Sequence, residues 1–225
     1  MSEPICVTIV FMGDSITEGQ YVEGSSRWTH QVSAALNLKY LKSSVNLLFV
    51  SRGISGETTR QGLERFPADV QNLQPDVMTL QYGLNDCNCW VTDRGLPRVS
   101  EPAYRANLIE MIDRARAFGA GEVVLSTNHQ TLRHKVLLSG ESLETRRKRY
   151  NEVVRKVAAE TGVTLCDIDG AFADYSFRDM EAYLVPYPDH LHLSPAGHRI
   201  YADTIQPFIE RAIERVIASR ENETS

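Results

Sequence analysis

The sequence predicts a single α/β domain, built on a parallel β-sheet with helices on both faces. Continuously apolar, β-branched runs recur at residues 7–11, 45–50, 76–81, 122–126 and 163–167. Between them lie longer stretches whose apolar residues return at helical period. Strands without polar alternation are buried on both faces, and the helices supply the crossovers that parallel neighbours need. The chain has 225 residues, 42% hydrophobic and 24% charged, which is enough to bury a core without disulfides. One domain over residues 1–225 is expected, with its core at about 5–215 and a frayed end at 216–225.

The elements follow in order. MSEPICVTIVFMG opens with no basic leader and reads as the first strand rather than a signal peptide. Residues 27–38 place Trp28, Val32, Ala35 and Leu36 on one helical stripe, and residues 102–118 open on Pro102 and align Leu108, Met111, Ile112 and Ala115. Residues 142–160 and 195–219 have the same period, the latter with Ser194 as N-cap and Pro195 as first helical residue. In such sheets ligands bind beyond the carboxyl ends of the strands. The polar clusters fall there: Gly13-Asp14-Ser15, residues 51–59, Gly83-Leu84-Asn85-Asp86 and Asn128-His129. The connections at 87–100 and 129–141 are long enough to be functional loops.

A net charge of −5 and a pI near 5.7 exclude the basic footprint of a nucleic-acid binder. The run Arg146-Arg147-Lys148-Arg149 reads as a solvated helix face. Cys6, Cys87, Cys89 and Cys166 give one C-x-C pair with no second pair or His cluster, so no structural metal site is expected. No apolar span reaches membrane length, and a cytoplasmic location is expected.

Ser15 in GDSITEG is a nucleophile only if a base removes its proton and a third group orients that base. Asp189 and His192, three apart in DHLH, supply both; His190 adjoins Asp189 and tends to point elsewhere, and His198 falls inside the final helix. Donors for a developing oxyanion are available at the Ser15 and Gly56 N–H groups and the Asn85 side-chain amide.

These four stretches, GDSITEG, ISGETT, GLND and DHLH, resemble the four signature regions of the SGNH (GDSL) hydrolases, in the same order. The segment from residue 54 to 86, with Gln61-Gly62-Leu63 and Gln74-Pro75, is similar to the bacterial thioesterase/lysophospholipase type of that family. The resemblance covers about residues 7–210. It implies a flavodoxin-like three-layer α/β/α fold with a five-stranded sheet and no cofactor. It implies Ser15 as nucleophile, His192 as base, Asp189 as its partner, and Gly56 and Asn85 as oxyanion donors.

Ser51 stands where close relatives often have Asn, and Leu84, where Gly is frequent, is expected to narrow the pocket. Asp14, Leu84, Trp90, Asn128, His129 and Arg133 are candidate substrate contacts, with His134 nearby; Cys87 and Cys89 read as incidental small residues. Polar residues around the site suit a short acyl ester, above all acetyl, of a saccharide or other polar alcohol. A lysophospholipid or acyl thioester is the alternative substrate. A silent binding module or an acyltransferase is the alternative class.

Overall fold

The computed structural model describes residues 4–223. The strands are β1 (Ile5–Gly13), β2 (Val45–Gly53), β3 (Val77–Gln81), β4 (Glu122–Ser126) and β5 (Thr164–Cys166). They form one parallel sheet in the order β2-β1-β3-β4-β5. The helices are α1 (Ser15–Glu18), α2 (Trp28–Tyr40), α3 (Thr59–Asp69), α4 (Leu84–Cys87), α5 (Glu101–Ala117), α6 (Leu143–Thr161), α7 (Ile168–Ala173), α8 (Phe177–Tyr183) and α9 (Pro195–Glu223).

Side-chain alternation along the strands divides the core into two layers. Val7, Ile9 and Phe11 of β1, with Val77 and Val124, pack with Trp28, Val32 and Leu36 of α2 and Ile205, Ile209 and Ile213 of α9. Val10 and Met12 face the other way with Met78, Leu80, Val123 and Leu125, and meet Phe66 of α3, Leu108, Met111 and Ile112 of α5, and Val154 and Val157 of α6. This is the expected three-layer α/β/α arrangement.

The differences from expectation are local. The helix α3 is apolar only at scattered positions and carries Gly62 and Pro67, which hides its period. Its start is nevertheless written in Thr58 and Gln61, whose side chains form a capping box. The short helices α7 and α8 were also not expected; the Asp167 and Ser176 side chains cap them. Instead of fraying after residue 215, α9 continues to Glu223, with Val216 against the core and the Arg220 guanidinium paired with Asp76. No described helix is long and apolar enough to cross a membrane.

Only half of the basic run in α6 is a solvated face: Lys148 and Arg149 are exposed. Arg146 and Arg147 are buried. Arg147 donates to the Asn128 carbonyl at 2.6 Å and pairs with Asp169 at 2.8 Å and with Glu144. Arg146 pairs with Glu141 at 3.0 Å and donates to the Gly95 carbonyl at 2.9 Å. A buried guanidinium is tolerated when its donors are satisfied in this way, and here the two arginines tie α6 to the loops after β3 and β4.

Candidate active site

The chain leaves β1 between β2 and β3, with Gly13 in register with Gly53 on one side and Gln81 on the other. A Cβ on Gly13 would fall 2.2 Å from Thr17 Oγ1 and 2.7 Å from the Gln81 carbonyl oxygen. Only a glycine therefore lets α1 turn back so tightly on the strand end. The Asp14 carboxylate caps α1 by accepting from the Ile16 N–H at 3.0 Å, which leaves Ser15 as the first helical residue.

Asp14, expected at the substrate, is fully buried and serves this cap. Burial pushes its pKa up to about 7, against the lowering effect of the Ile16 N–H and with a further upward push from Asp86. Burial likewise pushes Asp86 up to about 6, opposed by its bonds from Thr59, whose N–H and Oγ1 donate at 3.0 and 2.5 Å. The last residue of GLND thus anchors the start of α3.

From the far end of the chain, His192 Nε2 lies 3.0 Å from Ser15 Oγ, and His192 Nδ1 lies 2.9 Å from Asp189 Oδ2. Asp189 Oδ1 also accepts from the backbone N–H groups of Leu191 and His192, at 2.9 and 2.7 Å. With Nδ1–H donating to the carboxylate, Nε2 is the acceptor for the serine hydroxyl; this tautomer is the one the hydrogen-bond partners assign. Burial raises the Asp189 pKa but is outweighed by the two N–H donors and the imidazole, so the carboxyl lies below its usual range. Burial, with Arg133, lowers the His192 pKa below its ordinary value against the raising effect of Asp189, which favours the neutral ring. His198 is buried and accepts from the Trp28 N–H at 3.3 Å, and the His190 ring packs on Tyr187, so neither competes for the serine.

The loop after β4 holds this segment from behind. His129 Nε2 donates to the Leu191 carbonyl at 2.8 Å, the Leu132 N–H to the His190 carbonyl at 2.9 Å, and Arg133 Nε to the Asp189 carbonyl at 2.8 Å. Three successive carbonyls are thus bound by one loop. Three expected substrate contacts are placed differently as a result. Asn128 is buried in a network with Gln81, the Tyr82 carbonyl and Asn151. His129 is fully buried, and burial drives its pKa down to about 3. Arg133 reaches Asp189 Oδ2 at 2.9 Å, the oxygen that also holds His192.

A cation sharing that oxygen disfavours the protonated imidazole, and Arg133 lowers the His192 pKa after the larger contribution of burial. Arg133→Met is therefore expected to raise the His192 pKa and move the acid limb of kcat/KM for an ester to higher pH. A limb that stays in place or moves to lower pH contradicts this role.

Gly56 and Asn85 follow β2 and β3, the two strands that flank β1. Gly56 has φ +79° in a turn closed by the Glu57 N–H to the Ile54 carbonyl, which is the conformation a glycine adopts without cost. The turn is pinned from both sides. Glu18 Oε2 accepts from the Ser55 N–H at 2.7 Å and from its hydroxyl, and Arg98 Nη1 donates to the Gly56 carbonyl at 2.9 Å. Asn85 Nδ2 lies 3.5 Å from Asp14 Oδ2.

Leu84, expected to narrow the pocket, is buried in the core layer of α2 and α9, so its bulk is taken up by the interior. Trp90 is 59% exposed, with the Arg98 guanidinium 4.3 Å over its ring, which links this candidate wall to the Gly56 turn. Cys87 and Cys89 are free, buried thiols in the opposite core layer, and burial drives the Cys87 pKa upward. Glu18, although inside GDSITEG, was not singled out, and Arg98 and Tyr21, whose ring packs against His192, were missed because nothing in their local sequence marks them as part of a site.

A profile of the GDSL-like lipase/acylhydrolase family matches residues 11–200. The chain is 26% identical over 220 residues to the uncharacterized lipoprotein YqeF of Bacillus subtilis, covering 88% of this chain and 87% of that one. It is 26% identical over 211 residues to an acetylxylan esterase of Geobacillus stearothermophilus, covering 86% and 90%. The crystal structure of a lipase/acylhydrolase from Enterococcus faecalis matches with a TM-score of 0.72 at 27% identity, over 90% of this chain and 95% of that one. A lipoprotein among these relatives gives no support to the expected cytoplasmic location. The profile runs from the end of β1 into α9 and so spans both the serine and the histidine segments. The chain belongs to the GDSL-like lipase/acylhydrolase family.

Proposed function

We propose that this protein is a serine esterase that removes short acyl groups, above all acetyl, from a saccharide or other polar alcohol through an acyl-enzyme on Ser15. The observation that carries this reading is the unbroken series from Ser15 Oγ to His192 to Asp189, at 3.0 and 2.9 Å. Ser15 Oγ attacks the ester carbonyl as His192 Nε2 takes its proton, and Asp189 stabilises the resulting imidazolium. The oxyanion is held by the Ser15 and Gly56 N–H groups and by Asn85 Nδ2. His192 then protonates the leaving alcohol, and water repeats the cycle on the acyl-enzyme.

The saccharide alcohol is supported by the acetylxylan esterase relative, which aligns over most of this chain. Hydrolysis of 4-nitrophenyl esters from acetate to dodecanoate tests the acyl preference. Rates should be highest at acetate and fall steadily with chain length. A maximum at long chains contradicts the short-acyl reading and favours a lysophospholipid or thioester. No turnover at any length favours a binding module, and acyl transfer to added sugar in preference to water favours a transferase.

A further inference from the structure

Tyr21 lies just beyond α1 and is held in the left-handed region at φ +71°, which costs energy in a non-glycine residue. The residue is 65% exposed, so burial does not offset that cost. The ring instead stands edge-on to the His192 imidazole, at 5.1 Å between centroids and 79° between planes. A strained and exposed aromatic touching the candidate base is the kind of outlier from which a functional role is inferred.

Its place follows from the proton path. In the esterase reading, His192 Nε2 passes the Ser15 proton to the leaving oxygen, so the alcohol must lie against the imidazole as the ester breaks. Tyr21 packs on that same ring, which puts it beside the alcohol rather than the acyl group. Beyond the Ser15 N–H itself, the proposed oxyanion donors Gly56 and Asn85 lie in the loops after β2 and β3. A pyranose offers an aromatic ring its apolar C–H face and keeps its hydroxyls free for water, whereas a small aliphatic alcohol covers little of the ring.

We infer that Tyr21 forms the alcohol-side wall of the site and selects esters whose alcohol is a sugar ring. This rests on the esterase reading and deepens it by naming the residue that recognises the alcohol.

The test compares wild type, Tyr21→Gly and Tyr21→Phe on two acetyl esters: methyl xyloside monoacetate, with a sugar ring, and ethyl acetate, without one. Glycine accepts the positive φ, so its loss of the ring carries no added backbone strain. Tyr21→Gly should lose about tenfold more kcat/KM on the xyloside ester than on ethyl acetate, mainly through KM, and Tyr21→Phe should restore the difference. Equal losses on both esters would show that the ring only supports His192, and no loss on either would show that it does nothing; both overturn the inference and leave the esterase standing. A wild type inactive on both esters overturns the esterase reading and this inference with it.

Discussion

Ser15→Ala is expected to lower kcat for 4-nitrophenyl acetate by about 10⁴–10⁶-fold while leaving the fold unchanged. The size follows from the lost covalent step, because without Oγ the acyl group has no acceptor and only binding and oxyanion donors remain. The fold should survive because the side chain that starts α1 is that of Asp14, whose carboxylate caps Ile16 whether or not residue 15 carries a hydroxyl. Ser15 Oγ is bonded to His192, and losing that contact leaves the Asp189 bonds that hold the histidine in place. Unchanged far-ultraviolet circular dichroism and thermal midpoint, together with the lost turnover, would separate chemistry from stability. Near-normal turnover would remove Ser15 from the mechanism.

Asp189→Asn is expected to cost about 10⁴-fold in kcat. Asp189 Oδ1 accepts two backbone N–H groups, and Oδ2 accepts both His192 Nδ1–H and Arg133. If the asparagine oxygen keeps the two backbone donors, its amide nitrogen faces the imidazole. A donor there is satisfied only when Nδ1 loses its proton and Nε2 gains it, and a protonated Nε2 does not accept from the serine. The substitution should therefore leave the loop folded and put the base in the wrong tautomer. Steady-state kinetics above the His192 pKa check this, since protonation of the ring is then not the cause of the loss. A loss below tenfold would mean that Asp189 does not set the tautomer.

The residues proposed to carry out the chemistry were legible in the sequence because their types and spacing are constrained by such chemistry. A serine at the end of a strand, and an aspartate three residues before a histidine at a helix start, survive translation into three dimensions almost unchanged. The central strands β3 and β4 were legible for a related reason, since strands buried on both faces must be apolar throughout, whereas the edge strand β2 is only partly buried.

The residues around the site were harder to read. Sequence placed Asn128, His129 and Arg133 at the correct sheet edge, but direction along a loop has no period. The loop turns back under residues 189–191, so His129 and Arg133 bind carbonyls of that segment. Arg146 and Arg147 were misread because charge predicts exposure only where partners are lacking, and beside the nearby Glu141 and Glu144 they find partners at Gly95 and Asp169 that lie far off in sequence. Tyr21 left no trace at all, because a positive φ is a property of the folded backbone.

Treating the native protein with a fluorophosphonate and mapping the adduct by peptide mass spectrometry shows whether Ser15 is a nucleophile activated by His192. Stoichiometric label on Ser15, abolished in Ser15→Ala and strongly slowed in Asp189→Asn, is the expected result. Label on another residue, or none on Ser15 in a folded protein that still hydrolyses acetate esters, would contradict the account.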